Sequence, residues 1–378
     1  MHIGVNAQLL ARTGTYREAG LSKHIAALLE HLLVPGTPHR WTIFTAPGQR
    51  PDWLRSGPQV RVVESRLPTV RPPVRIAWEQ TVLPLAAARA GLDLLACPVA
   101  IRPLLAPCPT VVTIHDLIFL HYPTGYPALK RLYLGALTGG SARRARAVIA
   151  VSAATARDVE RLLGVPRERI RVVPNGVDTA ALRPLPTADV AAFRAAHGLP
   201  ERIILYLGTL EPRKNVPRLV RAFAAIRERT GATLVVAGGK GWFYEEIFRT
   251  VRALGLEECV RFPGYVPDAE LPLWYNSAEV FAYPSLYEGF GLPALEALAC
   301  GVPVIAASTS AFPEVVGDAG LLVDPESDAA LAAALERVLT DPALAGRLRA
   351  GGPAHARQFS WDASARATLA VYEQAAHR

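Results

Sequence analysis

A repeating alternation of short apolar runs and helical patterns extends over most of the chain, and it occurs twice. Strand-helix alternation predicts parallel sheets with helices on both faces. In the first half, strands are predicted at 2–6, 41–45, 60–64, 110–115 and 147–151, with an amphipathic helix at 21–33. After an Ala- and Pro-rich connection at 181–200, six more strands are predicted at 203–208, 233–238, 260–263, 280–284, 303–307 and 320–323.

Two blocks of this kind predict two domains, because 378 residues exceed what one ordinary hydrophobic core organises. We assign 1–180 to the first domain and 200–358 to the second. The expected fold class is α/β, with two Rossmann-like doubly wound domains facing a central cleft. In open α/β sheets, ligands bind outside the carboxyl ends of the strands. Chemistry is therefore expected in the segments that follow the predicted strands.

The segment 287–297, Tyr-Glu-Gly-Phe-Gly-Leu-Pro-Ala-Leu-Glu-Ala, carries the strongest functional pattern. It follows a predicted strand, and its proline is typical of the first turn of a helix. The amides of Phe290, Gly291 and Leu292 would then point out of a helix N-terminus, which is a favourable place for an anion. The segment predicts a diphosphate-binding site.

Two carboxylates in this segment, Glu288 and Glu296, are eight residues apart. Helical geometry throughout would separate them by roughly 12 Å, whereas the acid–base pairs of glycosidases lie about 5 to 9.5 Å apart. We therefore exclude a hydrolytic pair. The spacing suits the two ends of a sugar nucleotide, with Glu288 at the sugar and Glu296 at the ribose. A helix with one capping acid and one buried glutamate is the alternative.

Two other strand ends of the second half carry candidate donor contacts. Gly208 ends one strand, and Arg213 and Lys214 follow it. Cationic groups there would stabilise the negative charge that forms on a departing diphosphate. The segment Gly264-Tyr265-Val266 follows another strand, and its backbone groups are predicted to hold the edge of a nucleobase.

The first half contributes fewer candidates. His115 and Asp116 close a buried predicted strand, where the imidazole can hydrogen-bond the donor sugar or its phosphate. A helix-capping turn is the alternative for this pair. Gly20 opens the first helix and predicts a second anion site there. Asn175-Gly176-Val177-Asp178 ends the last strand of this half.

The net charge of +8 is concentrated in the first half, where residues 1–180 hold 22 Lys and Arg against 11 Asp and Glu. Such an excess attracts phospholipid headgroups, a phosphate-bearing acceptor or nucleic acid. Ordinary surface arginine is the alternative. No uninterrupted apolar stretch reaches the about 20 residues of a membrane span, and no signal peptide is apparent. We expect a cytoplasmic protein and leave open a peripheral contact with the anionic inner face of the membrane.

The chain resembles the retaining GT-B glycosyltransferases of the E-x7-E type (family 4), which include bacterial mannosyl- and glucosyltransferases. The matching segments follow the expected order over nearly the whole chain: His115-Asp116, Asn175 to Asp178, Gly208 to Asn215, and Glu288 with Glu296. The resemblance implies an acceptor-binding first domain and a second domain that binds the nucleotide sugar. A C-terminal helix at 361–378 would cross back to the first domain.

The resemblance also assigns roles to single residues. Arg213 and Lys214 would hold the diphosphate, Glu296 the ribose and Glu288 the sugar, with His115 beside the reaction centre. Attack would occur on the face that the diphosphate leaves, so that the anomeric configuration is retained. Such enzymes need no bound metal or other cofactor, and no Asp-x-Asp motif occurs here. The chain departs from the family in its first domain, where a glycine-rich loop is reduced to Gly20.

The segment 12–18 beside that glycine is predicted to be mobile until substrate binds. For the donor, GDP-mannose is the first expectation, because the stretch 113–123 resembles mannosyltransferases. UDP-linked glucose or N-acetylglucosamine comes next. The expected acceptor is a glycan, a lipid-linked sugar or a small molecule.

Other functions fit the same fold, because fold alone does not define function. A sugar-nucleotide epimerase would interconvert sugars without an acceptor. A phosphorylase would need a pyridoxal lysine, for which Lys240 is the candidate in the second half besides Lys214. A non-catalytic sugar-nucleotide-binding protein is a third alternative. Nucleic acid is not expected as a partner, since no interleaved aromatic and basic platform or recognition helix is evident.

Overall fold

The computed structural model describes residues 1–11, 20–34 and 36–377. The segment 12–18, predicted to be mobile before substrate binds, lies outside this described part. The chain divides into two compact units. The first comprises Met1–Gly176 together with the helix that begins at Trp361, and the second comprises Val177–Ser360.

The first unit contains a parallel sheet of seven strands in the order β3-β2-β1-β4-β5-β6-β7. Its strands are β1 (His2–Ala7), β2 (Arg40–Thr45), β3 (Val60–Glu64), β4 (Leu94–Cys97), β5 (Thr110–Ile114), β6 (Ala147–Ala150) and β7 (Ile170–Val172). Its helices are α1 (Leu21–Leu32), α2 (Pro72–Ala90), α3 (Ile118–His121), α4 (Ala128–Arg144) and α5 (Ala153–Leu163). The last helix of the chain, which is α14 (Trp361–His377), packs against α1 in this unit.

The second unit contains a parallel sheet of six strands in the order β10-β9-β8-β11-β12-β13. Its strands are β8 (Ile203–Leu207), β9 (Thr233–Ala237), β10 (Val260–Gly264), β11 (Val280–Tyr283), β12 (Val304–Ala307) and β13 (Leu321–Val323). Its helices are α6 (Thr187–Ala196), α7 (Val216–Thr230), α8 (Glu245–Ala253), α9 (Leu271–Asn276), α10 (Leu292–Ala299), α11 (Phe312–Val315), α12 (Asp328–Thr340) and α13 (Pro342–Ala356).

The strands form where apolar residues run without alternation, because helices cover both faces of a parallel sheet. All four residues of β11, Val-Phe-Ala-Tyr, are buried, as are four of the five in β8. Ser152 accepts a hydrogen bond from the Thr155 amide and begins α5, as expected of an N-cap serine. The predicted pair of doubly wound α/β sheets is confirmed.

Both sheets have a topological switch point, where the order of the strands reverses direction. It lies between β1 and β4 in the first sheet and between β8 and β11 in the second. Loops diverge there and leave a crevice at the carboxyl ends of the strands, which is where ligands bind in open α/β sheets. In the second unit, the loop after β8 carries Arg213 and Lys214, and the loop after β11 carries Glu288.

Within the described residues, no helix is both long enough and apolar enough to cross a membrane.

Candidate functional site

A buried ionic cluster centred on Glu288 occupies the switch point of the second sheet. One carboxylate oxygen, Oε1, accepts hydrogen bonds from Arg213 Nη1 at 3.0 Å, from Ser285 Oγ at 2.8 Å and from Lys214 Nζ. Arg213 also donates through Nε to Glu211 at 3.0 Å. Arg213, Lys214 and Glu288 are each at most 9% exposed. The structure thus brings the adjacent predicted site residues Arg213 and Lys214 into contact with Glu288, which lies about 75 positions further along the sequence.

The cluster is electrically balanced, with two cations and the two carboxylates of Glu211 and Glu288. Burial raises the pKa of Glu288, but Lys214 and Arg213 outweigh burial and lower that pKa to about 2. Burial lowers the pKa of Lys214, Glu288 opposes that effect, and Arg213 adds to it. At neutral pH Glu288 is therefore a carboxylate. An entering anion would compete with it for the same two cations.

The two tyrosines beneath the cluster belong to the central strands. Tyr283 at the end of β11 accepts a hydrogen bond from Lys214 Nζ at 2.5 Å, and the ammonium lies 4.9 Å from the centroid of its ring. Tyr206 of β8 stacks on Tyr283 with the ring centroids 5.7 Å apart. Both rings are fully buried. The Tyr283 hydroxyl gives the Lys214 ammonium a second acceptor besides Glu288.

The loop that carries Glu288 is hydrogen-bonded to a serine that follows the neighbouring strand, β12. After β12, the Ser310 hydroxyl accepts from the Glu288 amide at 3.0 Å and donates to the Glu288 carbonyl. Ser310 has φ of 60°, which is a left-handed conformation that is uncommon for residues other than glycine. A residue held in such a conformation at a ligand crevice is typical of a preorganised site.

Immediately after Glu288, the chain turns into α10. Gly291 is the N-cap, with φ of 96°, and a Cβ there would lie 2.9 Å from the ring of Phe312. Only glycine fits this position. Among the described residues, the amides of Phe290, Gly291 and Leu292 donate to no other residue. The predicted helix N-terminus is present and adjoins the ionic cluster.

Glu296 lies about one turn into α10, and its carboxylate contacts a different residue. Its Oε2 accepts a hydrogen bond from Tyr275 at 2.8 Å, and Tyr275 is fully buried in α9. Glu288 precedes the helix and Glu296 is inside it, so the two carboxylates have separate partners.

The remaining donor candidates form a row along the same edge of the sheet. Gly208 ends β8 and donates its amide to Ala237 at 3.0 Å, and a Cβ on the adjacent Gly238 would lie 1.9 Å from the Gly208 carbonyl. Gly264 ends β10 and accepts from the Gly238 amide at 2.7 Å. It is followed by exposed Tyr265 and buried Val266. With strands about 4.8 Å apart, the end of β10 lies roughly 10 Å from that of β8.

Comparison with known proteins identifies the family. Residues 189–355 match the family Glycosyl transferases group 1, and residues 19–181 match Glycosyltransferase Family 4. The O-antigen chain mannosyltransferase B of Escherichia coli is 34% identical over 265 residues, which cover 70% of each chain. The chain belongs to these glycosyltransferases.

Other relatives support the same assignment. The D-inositol 3-phosphate glycosyltransferase of Acidothermus cellulolyticus is 39% identical over 233 residues, covering 58% of this chain and about half (51%) of that one. The sucrose-phosphate synthase of Thermosynechococcus elongatus superposes with a TM-score of 0.79 at 26% identity, covering 99% of this chain and 98% of that chain. Anabaena HepE in complex with UDP and glucose has a TM-score of 0.72 at 21% identity, with 100% and 98% coverage, and shares the fold.

The first unit of this glycosyltransferase contains a pair of histidines after β5 and in α1. The rings of His115 and His24 are T-shaped with centroids 4.4 Å apart. His115 Nε2 hydrogen-bonds the Pro98 carbonyl at 2.9 Å, and His24 Nδ1 meets Asn175 Oδ1 at 3.0 Å. Burial lowers both pKa values, and in His24 the neighbouring His115 lowers the pKa further while Asn175 opposes. Both imidazoles are neutral at neutral pH.

Other predicted residues of the first unit have local roles. Asp116 Oδ1 accepts from the Ile118 amide at 3.1 Å, so the capping turn considered for the His-Asp pair forms beside the histidine contact. Gly20 is the N-cap of α1 with φ of 71° and is exposed. Asp178, which follows this unit and belongs to the second, accepts hydrogen bonds at Oδ1 from two following amides and closes a turn.

Sequence reasoning missed several residues that complete these contacts. Ser285, Ser310 and Tyr275 were not candidates, and neither was His24. Ser285 and Ser310 follow predicted strands, so the rule that ligands bind after strand ends could have found them. Tyr275 and His24 lie inside helices and give no such signal. Within the described ranges, no group of three or more His, Cys, Asp or Glu is arranged to hold a metal ion.

Proposed function

We propose that this glycosyltransferase transfers a hexose, with mannose as the first choice, from a GDP- or UDP-linked donor to a glycan or lipid-linked acceptor. We further propose that it retains the anomeric configuration and needs no metal or other cofactor. The observation that carries the proposal is the Arg213–Lys214–Glu288 cluster beside the unpaired amides of α10.

In this proposal the donor's diphosphate binds between Arg213, Lys214 and the N-terminus of α10. Two cations and unpaired amides together suit a diphosphate better than a neutral ligand. The charge on the leaving phosphate increases as the glycosidic bond breaks, so these groups stabilise the transition state more than the ground state. They also supply the positive charge that a divalent metal would otherwise provide.

The assignment of Glu288 to the sugar rests on its ionisation. A carboxylate with a pKa near 2 is a weak base at neutral pH, because effective general bases have a pKa close to the working pH. Glu288 is therefore assigned to hydrogen bonds with the sugar hydroxyls. The proton of the acceptor hydroxyl then goes to the departing phosphate, which agrees with attack on the face that the diphosphate leaves.

Glu296 and the end of β10 are assigned to the nucleoside. The Tyr275 hydroxyl donates to one carboxylate oxygen of Glu296, and we assign this carboxylate to the ribose hydroxyls. Gly264, Tyr265 and Val266 are assigned to the base, at roughly 10 Å from β8 along the sheet edge. Gly208, where β8 ends, is assigned to close approach of the backbone to the phosphates.

In the first unit, His115 is assigned to the transferred sugar. A carbonyl only accepts, so Nε2 carries the proton in its contact with Pro98, and Nδ1 keeps a lone pair. That lone pair can accept from a sugar hydroxyl. Gly20 is assigned to the phosphate side of the donor. The acceptor is assigned to the switch point of the first sheet, where the Gln8 amide is buried and bonded to no other described residue.

Mannose is preferred because the relative from Escherichia coli that covers 70% of each chain is named a mannosyltransferase. UDP-glucose is the next choice, since HepE was solved with UDP and glucose.

The test is a transfer assay with GDP-mannose, UDP-glucose and UDP-N-acetylglucosamine in the presence of EDTA, with mannosides as acceptors. Proton NMR of the product reports its anomeric configuration. Mannosyl transfer with an α-linked product from the α-linked donor supports the proposal. A β-linked product, dependence on added metal, or sugar interconversion without acceptor would each refute the corresponding part.

A further inference from the structure

The first unit contains a cavity of about 410 Å³ that is lined by four arginines. These are Arg102, Arg144, Arg146 and Arg169, with Pro107, Cys108 and Thr110 completing much of the wall. Thr110 begins β5, Arg146 directly precedes β6, and Arg169 directly precedes β7. The cavity therefore lies at the amino ends of these strands. His115, in contrast, follows the carboxyl end of β5.

The strands bring together residues that are distant in sequence. Arg146 is fixed by its amide, which donates to the Thr110 carbonyl at 2.9 Å between β5 and β6. Arg169 Nη1 donates to the Arg143 carbonyl at 2.9 Å. No carboxylate lines the cavity, and none in the described residues lies within ion-pair distance of these four guanidinium groups. The described residues therefore leave this positive charge uncompensated.

Arg102 is the informative member of the set. Its side chain is 7% exposed, and its Nε is buried without a hydrogen-bond partner in the described part of the chain. Burial lowers the pKa of Arg102, and Arg144 lowers it further, while Cys97 opposes. The buried Nε–H of Arg102 lacks an acceptor, and no carboxylate of the described residues opposes its charge, so neither a hydrogen bond nor an ion pair offsets the loss of water at this atom.

The backbone around Arg102 is held firmly, so this burial is part of the fold. The Arg102 amide donates to Ser141 Oγ at 3.0 Å, and its carbonyl accepts from Gln80 at 3.1 Å. The Leu104 amide donates back to Gln80 Oε1 at 2.9 Å. Next to the cavity wall, Leu105 is 82% exposed. Exposed arginine at a helix C-terminus is common and accounts for Arg144, but it does not account for buried Arg102.

We propose that this cavity binds a phosphoryl group with at least two negative charges, such as a phosphate monoester or a diphosphate, at a site separate from the donor crevice. Arginine donors arranged around one volume suit the several acceptor oxygens of such a group. The phosphoryl group comes either from a soluble ligand or from a lipid headgroup. In the latter case exposed Leu105 enters the apolar part of the bilayer.

Cys108 provides a readout confined to this cavity. It is a free, half-buried thiol in the wall, and burial raises its pKa to about 11. A bound anion both covers the thiol and disfavours its thiolate. Cys259, a free and half-buried thiol in the second unit, is an internal reference. The experiment measures iodoacetamide labelling of both cysteines in the full chain by peptide mass spectrometry, with added inorganic pyrophosphate.

We expect pyrophosphate to slow labelling of Cys108 several-fold and to leave Cys259 unchanged. Arg146→Gln and Arg169→Gln should each raise the pyrophosphate concentration that half-protects Cys108 roughly tenfold, because each variant loses one charged hydrogen bond. Arg61→Gln should leave that concentration unchanged. It removes the same charge, but in β3, which lies four strands from β5. Arg102→Gln should abolish protection, and it should raise the melting temperature without ligand, because it removes an unpaired buried charge.

Vesicles distinguish the two sources. Protection of Cys108 by vesicles containing phosphatidic acid, lost in Leu105→Ser while pyrophosphate protection persists, would identify a lipid headgroup. Pyrophosphate protection without vesicle protection would identify a soluble phosphoryl ligand. The proposal is overturned if neither probe protects Cys108, or if Arg61→Gln weakens protection as much as Arg146→Gln. If sugar transfer is absent but Cys108 protection is intact, the proposed donor site is refuted and the arginine cavity is supported.

Discussion

Replacement of Glu288 by glutamine should destabilise the second unit by an amount that the structure allows us to calculate. The folded protein holds the pKa of Glu288 at about 2, against an ordinary value of 4.5. At about 1.4 kcal/mol per pKa unit, that difference corresponds to about 3 kcal/mol of stability at neutral pH. Loss of one partner from a buried ion pair costs a similar amount, about 3 to 5 kcal/mol. Glu288→Gln leaves Arg213 and Lys214 without this partner.

The pH dependence has a definite sign. A carboxylate whose pKa is lowered by folding contributes stability above its unfolded pKa, and that contribution is lost as the pH falls toward the folded pKa. The deficit of Glu288→Gln should therefore be constant above about pH 5 and shrink from pH 4.5 toward pH 2. For a unit of this size, about 3 kcal/mol corresponds to a melting temperature lower by roughly 6 to 12 °C.

Differential scanning calorimetry from pH 7 to pH 3 measures this, with hydrogen exchange of β11 amides to assign the transition to the second unit. Glu336→Gln is the matched control, because Glu336 pairs with Arg229 at the surface, where ion pairs contribute little. Pyrophosphate should stabilise Glu288→Gln more than the wild type, since it supplies the missing negative charge. A variant that melts with the wild type at pH 7, or whose deficit is unchanged at pH 3, would refute the electrostatic account.

Three other predictions follow from the assigned contacts. Glu296→Ala should weaken nucleoside diphosphate binding roughly tenfold or more, measured by calorimetry, because a charged hydrogen bond is lost; unchanged affinity would exclude the ribose role. Lys214→Ala should lower kcat/KM by at least about 10²-fold and also weaken diphosphate binding, since its charge acts in both the ground and transition states; an effect on KM alone would contradict this. Wild-type stability of the first unit should fall as the pH drops below 6.5, because folding lowers the pKa of His24 and His115; His24→Asn should flatten that acid melting curve, and an unchanged slope would refute the assignment.

The strand pattern and the start of α10 were predictable because each is local. A strand buried on both faces must be apolar over its length, so runs such as β8 and β11 are visible directly in the sequence. A proline-containing helix start after a strand is equally local, and it identified the amides of Phe290, Gly291 and Leu292.

Contacts that depend on strand order were not predictable in the same way. Glu288 meets Arg213 because β8 and β11 are neighbours across the switch point, and the alternation of elements does not specify that order. The sequence suggested that these residues share a ligand, but not that they pair with each other in its absence. The arginine cavity is a stronger case, since Arg102, Arg144 and Arg169 converge only through the pairing of β5, β6 and β7.

Small polar residues escaped prediction for a different reason. Serine is common in every loop, so the two hydroxyls that hold Glu288, those of Ser285 and Ser310, were indistinguishable from solvated residues. His24 is buried in the first turn of α1, and periodicity cannot separate a buried histidine from a buried apolar residue.

The central claim is that the crevice between β8 and β11 binds the diphosphate of a nucleotide sugar without metal. Calorimetric titration with GDP, UDP and ADP, each with and without EDTA, tests it most directly, with Lys214→Ala as the site variant and Lys130→Ala, an exposed lysine of α4 in the first unit, as the matched control. The account predicts that one nucleoside diphosphate, GDP first, binds tightly with EDTA present, and that only Lys214→Ala weakens it. Binding that requires metal, that survives Lys214→Ala unchanged, or that is absent for all three nucleotides would contradict it.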